Sequence, residues 1–326
     1  MRDWNSEGIP MKLVIQIPCF NEEANLDRTI RDLPVRIDGI DSIEILVIDD
    51  GSTDRTISVA HDCGVHHVLP LNSHLGLARA FSEGIRYSIY QLQADIIVNT
   101  DADNQYQAGF IADLIRPILD NTADITVGCR PIHRIPHFST SKKLLQKTGS
   151  AMVRFLTGFK VDDAASGFRA YSRRAARRIK IVSDFTYTIE SLIQASRSGL
   201  RLKSIPVEVN PPVRPSRLFR GAFGYIARQI MTMFRIWALY SPVKLFVRTG
   251  LLNLVLGGGL LIRFVYYYIS SWPEPSGKVQ SLIISSVFLM FGFFLVLIGV
   301  IADLLAINRR LTEDVIDRLD EIDIKG

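Results

Sequence analysis

A run of 24 residues from Val279 to Ala302 contains no charged side chain and is rich in Leu, Ile, Val and Phe. As a helix it would measure about 36 Å at about 1.5 Å per residue, which is enough to cross a bilayer with some tilt. A second candidate span, Thr249 to Trp272, is less apolar because it contains Arg263 and three consecutive glycines. The alternative is two buried core helices, but core helices seldom run so long without a charge. The pattern therefore predicts two membrane spans near the C-terminus.

The basic residues around the two spans predict their orientation. The segment between the spans holds only Glu274 and Lys278 as charged residues, whereas both outer flanks are basic. The flanking residues are Arg235, Lys244 and Arg248 before the first span, and Arg309 and Arg310 after the second. Because basic flanks stay in the cytoplasm, we expect both ends of the chain there.

The rest of the composition is that of a folded chain. Hydrophobic residues make up 48% and charged residues 22%, which is too apolar for disorder and too charged for a chain wholly embedded in lipid. Three distant cysteines exclude a disulfide framework and favour a reducing compartment. The excess of 38 basic over 33 acidic residues fits a nucleic acid, an anionic membrane or a phosphorylated substrate. The polar start of the chain predicts no signal peptide.

Short apolar segments alternate with helical segments in the first 130 residues. The predicted strands are Leu13 to Ile17, Ile43 to Ile48, Val65 to Leu71, Asp95 to Thr100 and Asp124 to Cys129. The predicted helices are Glu23 to Leu33, Thr53 to Asp62, Leu75 to Gln93 and Gly109 to Leu119. This alternation predicts an α/β fold with a mostly parallel sheet and helices on both faces. In such folds ligands bind beyond the carboxyl ends of the strands, where polar residues cluster in this sequence.

Two carboxylates follow one of these predicted strands. Asp101 and Asp103 stand at positions i and i+2 of a strand-to-loop turn, so both can reach one hard cation such as Mg²⁺ or Mn²⁺. Gln105 could add an amide oxygen. A lone Asp-x-Asp pair is also common in solvated turns, and the segment Asp49 to Asp54 is compatible with simple helix capping. The carboxylates alone therefore leave a metal site and an ordinary turn both open.

Taken together, five motifs resemble glycosyltransferase family 2, and within it the polyprenyl-phosphate glycosyltransferases of the dolichol-phosphate mannose synthase type. In chain order the motifs are Pro18 to Glu22, Asp49 to Asp54, Asn72 with Gly76, Asp101 to Asp103, and Ser166 to Arg169. The likeness extends from about Lys12 to Arg217. The two predicted spans resemble those of bacterial and archaeal members that carry their own membrane anchor.

The resemblance implies a GT-A fold, a UDP- or GDP-linked sugar donor and a divalent metal, Mg²⁺ or Mn²⁺. The nucleotide-sugar site would comprise Pro18, Phe20, Glu22, Ile48, Asp50, Asp101, Ala102, Asp103 and Arg130. Asp101, Asp103 and Gln105 would hold the metal, and the catalytic residues would be Asp103, Asp163 and Arg130. Arg214 and Arg217 would bind an acceptor phosphate. Phe20 stands where the family often has Tyr, so stacking is kept and a hydroxyl contact is lost. The basic motif at Arg214 is shorter than in the family and lacks its glycine.

The predicted organisation has four parts. Residues 1–210 form a cytosolic GT-A domain, 211–244 a basic amphipathic segment in the membrane interface, 245–307 two transmembrane helices, and 308–326 a cytosolic tail helix. From Asn210 to Arg248 there are seven basic and no acidic residues, which is typical of helices at membrane surfaces. This segment either contacts the acceptor phosphate or is simply attracted to anionic lipid. Nucleic-acid binding is not expected, because no recognised module is visible.

The expected function is an inverting transfer of one sugar from a nucleotide sugar to polyprenyl phosphate at the cytoplasmic face of a bacterial or archaeal membrane. The partners are thus a nucleotide sugar, a polyprenyl phosphate and the membrane, and a homo-oligomer stays open. Asp163 either acts as a base or orients substrate. One alternative is a processive polysaccharide synthase, but the Gln-x-x-Arg-Trp motif of such enzymes is absent, since no Trp follows an Arg. The other is a catalytically silent membrane scaffold, which the intact acidic motifs disfavour.

Overall fold

The computed structural model describes residues 10–131, 150–181 except 152 and 156, 187–210, 243–270 and 279–323. The chain divides into two compact units, residues 1–220 and residues 221–326. The basic segment predicted for residues 211–244, with Arg214 and Arg217, lies almost wholly outside the described residues. Its interfacial position and the predicted domain boundaries therefore stay predictions.

The first unit is built around a seven-stranded sheet. Its strands are β1 (Lys12–Cys19), β2 (Ser42–Asp49), β3 (His67–Pro70), β4 (Ile96–Asn99), β5 (Ile125–Cys129), β6 (Arg169–Ser172) and β7 (Leu202–Pro206). In the part of this unit that the structure describes, its α-helices include α1 (Leu26–Arg31), α2 (Thr56–Asp62), α3 (Leu77–Tyr90), α4 (Ile111–Leu119), α5 (Arg173–Arg178) and α6 (Tyr187–Arg197). The five strands and four helices predicted from the alternation are all present, with ends shifted by a few residues.

The strands lie in the order β3-β2-β1-β4-β6-β5-β7. The pairs β1–β2, β1–β4, β2–β3 and β5–β7 are parallel, whereas β6 runs antiparallel between β4 and β5. The predicted mostly parallel sheet is therefore confirmed. Sequence analysis did not predict β6, because this strand has only four residues, begins with Arg169 and offers no apolar run.

The side chains of β1 alternate between the two faces of the sheet. Leu13 and Ile15 pack in the core that α1 and α4 cover, whereas Val14 packs in the core that α3 covers. All three are fully buried, and each such side chain stabilises the fold by about 1.5–3 kcal/mol. On the α3 side, a Cβ added to Gly84 would come within 2.7 Å of Gln16 Oε1. The absence of a side chain at Gly84 therefore lets α3 approach the sheet closely.

The described residues of the second unit form α7 (Arg248–Ser270) and α8 (Val279–Asp323), with a π-helical turn at Val243–Val247 before α7. Two stretches, Leu245–Ser270 and Val279–Asn308, are long and apolar enough to cross a membrane, in agreement with the two predicted spans. The residues of the predicted tail helix do not start a separate helix. They continue α8 without a break as far as Asp323.

Small residues set the packing of α7 against α8. A Cβ added to Gly250 would come within 2.9 Å of the Gly292 carbonyl oxygen. Ser285 Oγ donates a hydrogen bond to the Gly257 carbonyl oxygen at 2.7 Å. Close backbone approach and hydrogen bonds between helices stabilise helix pairs in lipid, where burial of apolar surface contributes little. Gly257, which made the first span less apolar, thus has a packing function.

Candidate active site

One edge of the sheet collects the ends of the parallel strands. There β1 ends at Cys19, β2 at Asp49 and β4 at Asn99. Because β6 runs in the opposite direction, it begins at this same edge, with Arg169 paired with Asn99. The antiparallel strand thus brings the residues that precede it, including Gly167, beside the loop that follows β4.

The loop after β4 holds the predicted carboxylate pair in a defined turn. Asp103 Oδ1 accepts a hydrogen bond from Gln105 N at 3.1 Å. The Ala102 carbonyl oxygen accepts one from Thr29 Oγ1 of α1 at 2.8 Å. Asn104 adopts a left-handed backbone conformation with φ of 52°, which asparagine tolerates better than most residues. The carboxylates are therefore positioned by the fold itself.

Asp101 lies where its neutral form is more stable than it is in water. Burial raises the pKa of Asp101 to about 7, the charge of Asp103 adds to the effect, and Arg130 opposes it. The surroundings are tight, since a Cβ added to Gly167 would come within 2.8 Å of Asp101 Oδ1. A cation bound to both carboxylates would favour the ionised form, because opposite charges nearby lower the pKa of an acid.

Asp101 and Asp103 suit a hard divalent cation. In the part of the chain that the structure describes, no group of three or more His, Cys, Asp or Glu side chains is placed to hold a metal. Two carboxylates nevertheless match Mg²⁺, which commonly takes one or two carboxylates and completes its shell with water and substrate phosphate. The predicted third ligand, Gln105, accepts a hydrogen bond on Oε1 from Arg130 Nη1 at 2.9 Å. An amide oxygen has two lone pairs and this bond uses one, so Gln105 remains a predicted ligand.

Arg130 and Asp163 form a two-pronged ion pair. Arg130 Nε donates to Asp163 Oδ2 at 2.6 Å, and Nη2 donates to Oδ1 at 3.2 Å. The two side chains are 8% and 1% exposed, respectively. Burial lowers the pKa of Arg130, but Tyr106, Asp163 and Asp101 more than offset this and raise it above its ordinary value. Each Asp163 oxygen therefore already accepts a hydrogen bond from a permanent cation.

Tyr106 connects this ion pair to the start of β6, and sequence analysis did not identify it. The Arg130 guanidinium carbon lies 5.6 Å from the centre of the Tyr106 ring. The Tyr106 hydroxyl oxygen accepts hydrogen bonds from Ser166 Oγ at 3.3 Å and from Gly167 N at 3.2 Å. Burial raises the pKa of Tyr106 to about 12, so the hydroxyl stays protonated at neutral pH. Sequence analysis could have identified Tyr106 because it is the one aromatic residue in an otherwise polar loop.

Arg169 organises the loop that carries Asp163. Its side chain is fully buried, and its guanidinium donates to the carbonyl oxygens of Ala164 and Ser166, both at 2.8 Å. It also donates to the carbonyl oxygen of Thr188 in α6 at 2.7 Å. A buried charge requires such hydrogen bonds. The Ser166 to Arg169 motif thus joins the Asp163 loop to α6.

The predicted nucleoside residues form a second group, at the ends of β1 and β2. Pro18 and Ile48 are paired in register on these strands. The buried Asp50 carboxylate accepts hydrogen bonds from Leu75 N at 2.7 Å and Gly76 N at 2.9 Å, at the start of α3. A carboxylate at a helix N-terminus is stabilising, so Asp50 also has a structural role.

Phe20 and Glu22 occupy the loop after β1. The Phe20 ring stacks on the His74 imidazole, with ring centres 3.8 Å apart and planes tilted by 21°. The Glu22 carbonyl oxygen accepts hydrogen bonds from Asn25 N and Leu26 N, both at 3.0 Å, where α1 begins. Sequence analysis did not identify His74 as a neighbour of Phe20.

Residues 14–180 match the family model described as glycosyl transferase family 2. The chain belongs to this family. Among its relatives, an undecaprenyl-phosphate mannosyltransferase from Micrococcus luteus is 28% identical over 226 residues, which are 66% of this chain and 90% of the relative. Glycosyltransferase AglJ from Haloferax volcanii is 24% identical over 96% of this chain and 99% of its own length. A dolichol-phosphate mannosyltransferase from Pyrococcus furiosus is 26% identical over 78% of this chain and 73% of its own length.

The fold of the family domain is also that of solved structures. Glucosyl-3-phosphoglycerate synthase from Mycobacterium tuberculosis, in complex with Mn²⁺, UDP and glucosyl-3-phosphoglycerate, superposes with a TM-score of 0.54 and 22% identity. The likeness covers 69% of this chain and 78% of that one. It confirms the predicted GT-A fold.

In the family domain, the predicted residues Asp101, Asp103, Gln105, Arg130 and Asp163 are thus linked in one network of hydrogen bonds and charges. Arg214 and Arg217 lie outside the described residues, and their contact with an acceptor phosphate stays a prediction.

Proposed function

We propose that the chain transfers a single sugar from a UDP- or GDP-linked donor to polyprenyl phosphate at the cytoplasmic membrane face, with inversion at the anomeric carbon. The observation that carries this proposal is the Arg130–Asp163 pair. A sugar-hydroxyl acceptor needs a general base, because a hydroxyl is not ionised at neutral pH. Both Asp163 oxygens are bound by Arg130, and the side chain is 1% exposed. Such a carboxylate suits positioning, and a phosphate acceptor arrives already ionised.

The relatives and the second unit support the same acceptor. Two relatives carry undecaprenyl phosphate and dolichol phosphate in their names. The two apolar helices would hold this chain at a membrane, where a polyprenyl phosphate resides. The basic flanks of the spans favour a cytoplasmic position for both termini.

In this reaction an oxygen of the acceptor phosphate forms a bond to the anomeric carbon while the bond from that carbon to the donor diphosphate breaks. The nucleoside diphosphate leaves with the electron pair, and a single displacement inverts the configuration. Asp101 and Asp103 would hold Mg²⁺ or Mn²⁺, which supplies positive charge for the departing diphosphate.

Arg130 would stabilise the same developing charge. Within the described ranges, Asp163 and Gln105 bind three of its five N–H groups, and the other two would bind the donor sugar or diphosphate. Because Asp163 fixes the guanidinium beforehand, little reorganisation is needed at the moment of bond breaking. Arg214 and Arg217 would bind the acceptor phosphate, since guanidinium groups form two-pronged contacts with phosphate oxygens.

A transfer assay tests the proposal. Membranes containing the full-length chain are incubated with radiolabelled UDP-glucose, UDP-N-acetylglucosamine or GDP-mannose, with polyprenyl phosphate and Mg²⁺ or Mn²⁺. We expect label in the lipid phase, one sugar per lipid, with the anomeric configuration opposite to that of the donor. Chelation of the metal should stop the transfer.

Two controls make the assay decisive. Asp101→Asn should abolish labelling, whereas Asp113→Asn, which changes an exposed acid of α4, should leave it unchanged. Products longer than one sugar would indicate a processive synthase. Neither transfer nor donor hydrolysis with any donor would indicate a silent scaffold, and either result would overturn the proposal.

A further inference from the structure

His74 makes two contacts that a bound nucleobase would also make. Its imidazole lies face to face with Phe20, with ring centres 3.8 Å apart. Its Nδ1 lies 2.8 Å from Asp50 Oδ2. Under the proposed function, Phe20 supplies the stacking surface and Asp50 a polar contact in the nucleoside site. The His74 imidazole, an aromatic ring with a polar nitrogen, therefore makes both of the contacts that a base would make.

The spacing of the two rings leaves no room for a third. At 3.8 Å the Phe20 and His74 rings are already in van der Waals contact, so a base cannot enter between them. A base that stacks on this face of Phe20 must take the place of the imidazole.

The backbone that carries His74 is held in place by the fold, whereas its half-exposed side chain is held by the Phe20 stack and the Asp50 contact. Leu75 N and Gly76 N are bound by Asp50. A Cβ added to Gly51 would come within 2.7 Å of His74 N, so this loop is packed tightly on the turn after β2. The His74 side chain itself is 53% exposed. It can swing into solvent about its side-chain bonds without disturbing the core or the loop backbone.

We propose that the His74 imidazole fills the nucleobase position when no nucleotide is bound, and that a donor nucleotide binds by displacing it from Phe20. This inference rests on the proposed function and adds a determinant of donor affinity that the motifs do not contain. The site is competent only in the fraction of molecules whose imidazole has left Phe20, and the apparent dissociation constant rises in inverse proportion to that fraction.

Calorimetric titration of the full-length protein in detergent, with UDP and separately with GDP in the presence of Mg²⁺, tests the displacement. One stacking contact corresponds to a factor of about three to ten, so His74→Ala should bind the preferred nucleotide about three- to tenfold more tightly than the wild type. His61→Ala, which removes an exposed histidine at the end of α2, is the matched control and should change affinity by less than twofold.

A second measurement uses the unmodified protein. In protein with isotope-labelled histidine, the His74 ring signals, assigned by their absence in His74→Ala, should move towards those of a solvated imidazole when nucleotide is added. Unchanged ring signals at saturating nucleotide would contradict the displacement. Weaker binding by His74→Ala would show that His74 is a wall of the base site, and equal binding would show that it has no part in it.

The failure of this inference is distinguishable from failure of the proposed function. If neither UDP nor GDP binds to wild type or to His74→Ala, the nucleotide-sugar function is wrong and the inference is overturned with it. If a nucleotide binds the wild type and His74→Ala gains no affinity, only the displacement is wrong.

Discussion

Gly167 lies so close to Asp101 that a Cβ on Gly167 would come within 2.8 Å of one carboxylate oxygen and 3.2 Å of the other. The contact joins two motifs far apart in sequence, the strand-end carboxylate pair and the start of β6. It makes the position of a proposed metal ligand depend on the absence of a side chain at a single residue.

Gly167→Ala should therefore impair transfer by displacing Asp101. We expect a loss of about 10²-fold in kcat, because a displacement of about 1 Å at a reacting site has effects of that size. Apparent affinity for Mn²⁺ should fall as well. Transfer rates at increasing Mn²⁺ measure both. Gly109→Ala is the matched control, since nothing lies within 4 Å of a Cβ at that position; equal rates for the two variants would contradict the argument.

Asp103→Ala should remove catalysis while leaving the fold intact. Asp103 is half-buried in a turn, and loss of the hydrogen bond that its carboxylate accepts from Gln105 N should cost about 1–2 kcal/mol in free energy of unfolding. Transfer should fall by at least about a hundredfold, because the departing charge would lose stabilisation. Thermal unfolding and transfer assays separate the two effects. Near-normal turnover at saturating Mg²⁺ and Mn²⁺ would refute the metal assignment.

Asp163→Asn should destabilise the protein, because it leaves the buried Arg130 guanidinium without its counter-charge. Loss of one partner of a buried ion pair costs about 3–5 kcal/mol, and denaturant unfolding measures this. Asp162→Asn is a matched control, since the neighbouring Asp162 side chain is 80% exposed. It should unfold like the wild type.

The same variant separates positioning from general-base catalysis. If Asp163 only positions Arg130, Asp163→Asn should lower kcat without changing the shape of its pH profile. If Asp163 removes a proton, the acid limb of the profile should disappear in the variant. Because metal binding to Asp101 also depends on pH, rates are measured between pH 5.5 and 9 at saturating Mn²⁺, and these decide between the outcomes.

Metal binding should weaken as the pH falls through about 7. Burial, followed by the charge of Asp103, raises the pKa of Asp101 to about 7, and a metal binds the ionised carboxylate. Below that value a proton must leave for each metal bound, so the apparent dissociation constant should rise about tenfold per pH unit. Titrations with Mn²⁺ at pH 6, 7 and 8 check this, and identical affinities at pH 6 and pH 8 would contradict it.

Without metal, the raised pKa of Asp101 makes the fold less stable as the pH rises, whereas metal binding becomes stronger over the same range. The fold binds the Asp101 proton more tightly than the unfolded chain does, so this contribution is complete below about pH 4 and is lost as the pH rises through about 7. Saturating Mn²⁺ should therefore raise the unfolding midpoint more at pH 8 than at pH 6.

The sequence by itself determined those features that local patterns encode. Leu13 to Ile17 is apolar enough to predict a buried strand, and the run from Val279 to Ala302 predicts a membrane span, because burial of apolar surface depends on residue type and spacing. Asp101 and Asp103 were predicted together because both belong to one strand-end turn. The resemblance of the chain to glycosyltransferase family 2 followed from five such local motifs in order.

Only the tertiary structure decided which of these motifs meet. Arg130 binds Asp163 across 33 positions of sequence, and Asn99 Nδ2 donates to the Gly167 carbonyl oxygen across 68. Both contacts depend on β6. This antiparallel strand begins with a buried arginine, so it has no hydrophobic pattern from which it could be predicted. Strand order and direction arise from long-range pairing across the sheet, and no single segment of the chain carries that information. The same reason applies to His74, which reaches Phe20 only because β1, β2 and the start of α3 meet at one edge.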